Sequence, residues 1–154
     1  MAVLIEDINT KMWSLKVSQV GAIVADIEDL KQSIMLIVLT VKGTVPFLPE
    51  FGCGLYNYID QPAQAAAPLM VREIRNAVTR WETRATVLNT SYTIDLSTIN
   101  ISLELRPNFF REQDPAGSVF VGFELDMLSG TILFLTDQFG RPLLTDFGPI
   151  KIMK

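Results

Sequence analysis

Few side chains in this sequence could do chemistry, and their types narrow what that chemistry could be. There is no histidine, which removes the commonest general base and the commonest metal ligand. Without it, no Ser/His/Asp or Cys/His centre can form. Cys53 is the single cysteine, so it has no partner for an internal disulfide or a paired-cysteine zinc site. A structural or incidental role fits it best. The 17 acidic residues offer many carboxylate pairs, so a pair by itself means little. Glu50, beside Phe51, is the best placed for a partly desolvated acid, the kind that can act as a proton donor. The plainer reading, which we prefer, is that Glu50 caps or braces its loop. Glu82 and Arg84 form a charged pair two residues apart. On residues alone they are solvated charges at a helix end, which contribute little. No Walker-type glycine loop and no dinucleotide fingerprint occur, and no cofactor or metal is expected.

The elements that would position these residues can be read from periodicity. Asp26 reads as a helix N-cap, with Glu28 and Asp29 suited to the positive end of the helix dipole. Ile27, Leu30, Ile34, Ile37 and Val38 then fall on one face. The run Ile34 to Leu39 is apolar all round and could be a buried strand. Its continuity with a capped, charged first turn favours a helix, stopped by Lys42-Gly43. Residues 44–61 gather prolines, glycines and aromatics into an ordered loop, with a turn of helix at Leu55 to Ile59. In that loop Pro49, Phe51, Gly52 and Gly54 read first as architecture: glycines for unusual backbone angles, Phe51 as a core plug. Gln61-Pro62 opens a second helix, with Pro68 in its first turn or at a kink. Its apolar stripe is Leu69, Ile74, Ala77, Val78 and Trp81.

After Trp81 the period changes to two. Tyr92, Ile94 and Leu96 alternate with polar residues, as do Ile99, Ile101, Leu103 and Leu105, with a tight turn at Ser97-Thr98. A polar break from Pro107 to Gly117 follows. A second strand pair is expected at Val119 to Met127 and Thr131 to Leu135, turning at Ser129-Gly130, and Gly140-Arg141-Pro142 marks another turn. Residues 1–25 give no clear periodic signal, although Trp13 and Val17 could pack locally.

The chain has 154 residues, 49% of them apolar, and a net charge of −4. That is enough for one real core, with apolar surface to spare for partners. No run of Lys and Arg stands out, so no nucleic-acid footprint is expected. The start, Met1 to Asp7, lacks the basic region and long apolar stretch of a signal peptide. The apolar run Ile34 to Val41 is far shorter than the ~20 residues a membrane helix needs. No membrane insertion is expected.

Three stretches, in order, carry a resemblance. They are Glu28-Asp29-Leu30-Lys31-Gln32-Ser33-Ile34 with Leu39-Thr40; Gly43 with Pro49-Glu50-Phe51-Gly52-Cys53-Gly54-Leu55; and Arg80-Trp81-Glu82-Thr83-Arg84. Together, over roughly residues 15–106, the chain resembles the small baseplate wedge proteins of contractile phage tails. Relatives occur in type VI secretion baseplates and contractile bacteriocins. Glu82-Thr83-Arg84 departs from the family's usual Glu-Pro-Arg, and Thr83 gives up the fixed φ of a proline.

The resemblance implies an α+β fold: two helices packed on a small antiparallel sheet like the interlocking domain of sheath proteins. Residues 1–106 would be that core, and 107–154 a C-terminal β-hairpin extension. It implies a structural, non-enzymatic subunit at the tail baseplate, assembled in the host cytoplasm and repeated with sixfold symmetry. That subunit would start the sheath by accepting a strand from it. The implied partners are the larger wedge proteins and the tail sheath protein, with the tail tube as a further candidate. Glu82 and Arg84 would then contact a neighbouring wedge subunit, and Arg84→Ala would leave the isolated chain folded. Pro49, Phe51 and Gly52 would present a shaped loop. Ile99, Ile101 and Leu103 mark the strand whose second edge is filled either by the extension or by a sheath strand. Some relatives are labelled lysozyme-like, so a peptidoglycan-cleaving enzyme is the alternative.

Overall fold

The first long element is a helix because a charged turn feeds directly into an apolar run. In the computed structural model, which describes residues 10–108, 117–135 and 150–151, helix α1 spans Asp26–Leu39. The ambiguous stretch from Ile34 is therefore helical. Leu30, Ile34, Met35, Ile37 and Val38 are buried along it. Its ends differ in detail from the expectation. Ala25 occupies the N-cap position without a side-chain bond. Asp26 sits one residue on, at φ +50°, and its carboxylate accepts from the Thr10 hydroxyl at 2.6 Å. The helix stops at Thr40, before Lys42-Gly43. The Thr40 amide and hydroxyl both turn back onto the Leu36 carbonyl.

Before α1 lies a small hairpin that periodicity does not reveal. Strand β1 (Trp13–Leu15) pairs antiparallel with β2 (Ile23–Ala25). Strands of three residues are too short for an alternation signal. Gln32 of α1 ties the hairpin down through the Ser14 hydroxyl, the Leu15 carbonyl and the Val17 amide.

A 3₁₀ turn at Leu55–Tyr58 leads to helix α2, Ala63–Trp81. Pro68 lies inside α2 rather than in its first turn, so one helical hydrogen bond is missing there. The stripe is Ala66, Ala67, Met70, Ile74, Ala77 and Val78. Met70, not Leu69, is the buried member.

Strands β3 (Ala85–Asp95), β4 (Thr98–Pro107), β5 (Val119–Asp126) and β6 (Thr131–Leu135) form an antiparallel meander, and a two-residue β7 (Ile150–Lys151) pairs with β6. Gly140-Arg141-Pro142 lies outside the described residues. Alternation on β4 and β5 is strict. Ile99, Ile101, Leu103 and Leu105 stand opposite Leu125, Phe123, Val121 and Val119, and all eight are buried. Fully burying side chains of this size contributes about 1.5–3 kcal/mol each. Beyond residue 106 the chain thus shares both sheet and core with what precedes it.

The β3–β4 turn is one residue earlier than the spacing predicts. Asp95 pairs with Thr98, so Leu96 is a turn residue at φ +51° and fully exposed. Helix α2 lies against β3 and β4, and α1 packs on α2 and the hairpin. The architecture is α+β, as expected.

Candidate partner-binding site

The helix-to-strand junction starts where α2 runs out. The Glu82 amide makes the last helical bond, to Val78, and β3 begins three residues later. Arg84 folds back over this corner. Its Nε and Nη2 donate to both oxygens of Glu82, at 2.9 and 2.8 Å. Nη1 donates to Asp29 of α1 at 2.5 Å, and Nη2 also donates to the Ser33 hydroxyl at 2.9 Å. Both carboxylates are buried, Asp29 at 3% and Glu82 at 4% exposure. The Glu82 bonds, and then Asp29, hold the guanidinium even further toward its charged form than usual. Four of its five N–H groups are thereby used inside the molecule. Arg84 and Glu82 were visible in the sequence. Asp29 and Ser33 as their partners were not, because 55 residues separate Asp29 from Arg84.

Asn108, just past β4, ties into this junction. Its amide donates to the Arg84 carbonyl at 2.7 Å and its side-chain NH₂ to the Thr83 carbonyl at 2.9 Å. The Thr86 hydroxyl donates to its oxygen at 3.1 Å. Beside this corner an open groove of about 630 Å³ runs between α2 and β3, lined among others by Arg75, Thr79, Arg80 and Val87.

The loop after α1 is built from two successive β-turns. The Leu48 amide donates to Val45, and the Phe51 amide to Leu48. Pro46 and Pro49 each occupy the second position of a turn, where a fixed φ is an advantage. The Gly43 amide closes the loop on the Pro49 carbonyl at 2.8 Å. Phe51 turns inward and meets Trp81 edge-on, with ring centroids 5.2 Å apart. The exposed pair Arg80–Glu50, at 3.4 Å, spans the outside. Pro49 is on the surface, Phe51 half-buried and Gly52 buried.

Cys53 is enclosed at the base of this loop. Burial pushes its thiol from an ordinary value near 9 up to about 11. It should therefore carry about 100-fold less thiolate at pH 8 than an unfolded thiol. Iodoacetamide labelling at pH 8 should be correspondingly slow until urea is added. A folded protein that labels as quickly as the unfolded one would contradict this. The raised value also sets a sign. The stabilisation from the buried thiol is complete below about pH 9 and is lost as pH rises toward 11.

A sequence profile, that of Baseplate wedge protein gp25, matches residues 24–107. This chain belongs to that family. The match ends at the last residue of β4, so β5 and β6 lie beyond the matched residues. A solved structure from Geobacter sulfurreducens, named as a candidate tail lysozyme, superposes with a TM-score of 0.54 at 21% identity. It covers 64% of this chain and 88% of its own. At that identity the likeness shows a shared fold. No curated protein matches the chain.

In this baseplate wedge protein Ile99, Ile101 and Leu103, on the strand whose second edge was expected to be filled either by the extension or by a sheath strand, are buried. β4 is paired along both sides, by β3 and by β5. The extension therefore fills the edge in question. Among the described residues no strand pairs with the outer side of β3. That edge is 11 residues long and carries a bulge between Val87 and Asn89. Sequence spacing missed it because Tyr92 and Leu96, read as one half of an inward face, are exposed.

Proposed function

We propose that this gp25-family chain is a structural wedge subunit on which the first sheath ring starts, and that it receives a strand along the outer edge of β3. The observation that carries this is the long β3 edge, unpaired among the described residues, in a family whose members are baseplate parts. Unpaired strand N–H and C=O groups template an incoming chain. Natural edges are usually short, covered or blocked by charge or proline. β3 has no proline and its only charged residue is Asp95 at the end. The adjoining groove offers Arg75 and Arg80, which favour a donor with acidic side chains through electrostatic complementarity. The partners on this reading are the sheath protein and the larger wedge proteins, with the tube as a further contact. Its place is the sixfold baseplate.

Glu82 and Arg84 take part indirectly on this reading. Their buried bonds fix the start of β3, and the outward part of Arg84 faces a neighbouring subunit. The loop bearing Pro49, Phe51 and Gly52 stands next to them through the Phe51–Trp81 contact.

A structure of the assembled sheath–baseplate junction tests the mechanism. We expect a donor strand hydrogen-bonded along Ala85–Asp95. A solvent-facing β3 edge, with sheath contacts through side chains alone, would overturn strand addition. The name carried by the Geobacter protein makes cell-wall hydrolysis the rival. Glu50 is exposed and paired with Arg80, so it lacks the apolar enclosure of a general acid. The purified protein should leave a cell-wall suspension turbid. Clearing that Glu50→Gln abolishes would establish the enzyme instead.

A further inference from the structure

The outer edge of β3 carries few of the features that stop a strand from pairing with the wrong chain. It has no proline and Asp95 is its only charge, while Leu88 and Tyr92 along it are exposed. The feature it does carry follows the bulge between Val87 and Asn89. Asn89 is on the surface, and its side-chain oxygen accepts from the Thr90 amide at 2.8 Å. The hairpin fixes which way that amide points. Asp95 and Thr98 pair across a two-residue turn, which makes them a hydrogen-bonded pair. Bonded pairs alternate along an antiparallel ladder, so Thr93, Ser91 and Asn89 also turn their main-chain groups toward β4. Ile94, Tyr92 and Thr90 turn theirs outward. Among the described residues no strand stands opposite them, and Thr90 alone is covered, by its own neighbour's carboxamide. That cover borrows nothing from another element, and one rotation of the Asn89 side chain removes it.

We propose that Asn89 is a removable plug on the β3 edge. It occupies the Thr90 amide in the free chain, weakens pairing with the β3 of a second copy, and gives way to a donor strand. An open edge templates any strand, its own twin included. Two copies pairing β3 to β3 about a two-fold axis use the same edge twice, so an overlap that includes Thr90 displaces two plugs. A single donor strand displaces one. Each displaced bond lowers the association constant by about 5-fold, the effect of a typical net hydrogen bond, and two lower it by about 25-fold. The plug thus acts more strongly against a second copy than against a donor, and it does so without closing the edge. The inference deepens the strand-addition reading and rests on it for what displaces the plug. The plug itself is a property of the isolated chain.

Two measurements on the isolated full chain test it. In dilute parent protein, amide hydrogen exchange should be slower at Thr90 than at Tyr92 and Ile94. Asn89→Ala should bring Thr90 to the rate of the other two, and Asn89→Asp, which keeps an acceptor oxygen, should preserve the protection. A Thr90 amide that exchanges as fast as Tyr92 in the parent would overturn the plug, whatever the variants do. Sedimentation equilibrium should then show the dimerisation constant of Asn89→Ala raised about 25-fold, with Tyr92 and Ile94 gaining protection at high concentration. Asn89→Asp should associate no more than the parent. Unchanged association of Asn89→Ala, or a rise that leaves Tyr92 and Ile94 unprotected, would also sink the proposal. A structure of the assembled sheath–baseplate junction separates the plug from the reading beneath it. A solvent-facing β3 edge there, with Thr90 protected in the free chain, removes strand addition alone. A donor strand along β3, with Thr90 unprotected in the free chain, removes the plug alone.

Discussion

The isolated chain carrying Arg84→Ala is expected to unfold with about 3 kcal/mol less free energy than the parent, about 6–12 °C in midpoint for a domain of this size. The cause lies less in the lost bonds than in what they leave behind. Removing the guanidinium strands two carboxylates, Asp29 and Glu82, that are nearly inaccessible to water. A buried charge without its partner carries the whole desolvation penalty, typically about 3–5 kcal/mol when one member of a pair is deleted. We take the low end because the Arg84 side chain is 33% exposed, so water can enter when it is truncated. The sequence-based expectation is that this variant stays folded, and a loss of this size leaves it folded but weaker, because domains typically have about 5–15 kcal/mol of stability. Neutralising the whole cluster with Asp29→Asn, Glu82→Gln and Arg84→Met should recover most of the loss. Urea titrations of the parent, Arg84→Ala and the triple variant check this. An unchanged urea midpoint for Arg84→Ala would show that the cluster contributes nothing to the fold.

Gly52→Ala is expected to destabilise by about 3 kcal/mol or more. Gly52 has φ +104°, a region that costs any residue with a Cβ. Space is lacking as well as conformational freedom. A methyl group there would lie 2.2 Å from the Thr40 carbonyl oxygen and 2.9 Å from its carbon. These are backbone atoms, held in place because the same oxygen accepts the Cys53 amide. No rotamer change can relieve the contact. The chain must shift, and the loop closure on α1 is lost with it. Thermal denaturation, with Gly43→Ala as comparison, separates the two causes. Gly43 also has positive φ but open space around its missing Cβ, so its alanine variant should lose less. Equal losses at both sites would place the whole effect in backbone conformation.

The sequence disclosed the elements whose side chains repeat over several turns or strand residues. The helix through Ile34 to Leu39 was legible because Glu28 and Asp29 precede a periodic apolar face. β4 was legible because four branched aliphatics alternate with polar residues. What stayed hidden depends on pairing across distance. Asp29 has the look of a dipole partner, and nothing near it says that Arg84 will arrive. Leu96 keeps the period of a strand, yet hairpin closure places it in the turn. The same holds for the site. Glu82 and Arg84 stood out through the family resemblance, while Ser33, the hydroxyl that completes their cluster, was passed over.

The Asp29–Arg84 contact also bears on time. The meander from β3 to β6 closes through hairpins between neighbouring stretches, while joining α1 to the junction closes a loop of 55 residues. Closing a longer loop costs more chain entropy, and local pairings form sooner than distant ones. An interaction made late in folding is absent from the transition state, so its loss falls on the unfolding limb of the kinetics. Arg84→Ala should therefore shorten the lifetime of the folded chain far more than it slows refolding, as stopped-flow measurement of both limbs would show. On that account the contact acts as a clock setting for the folded chain rather than a starting force for folding.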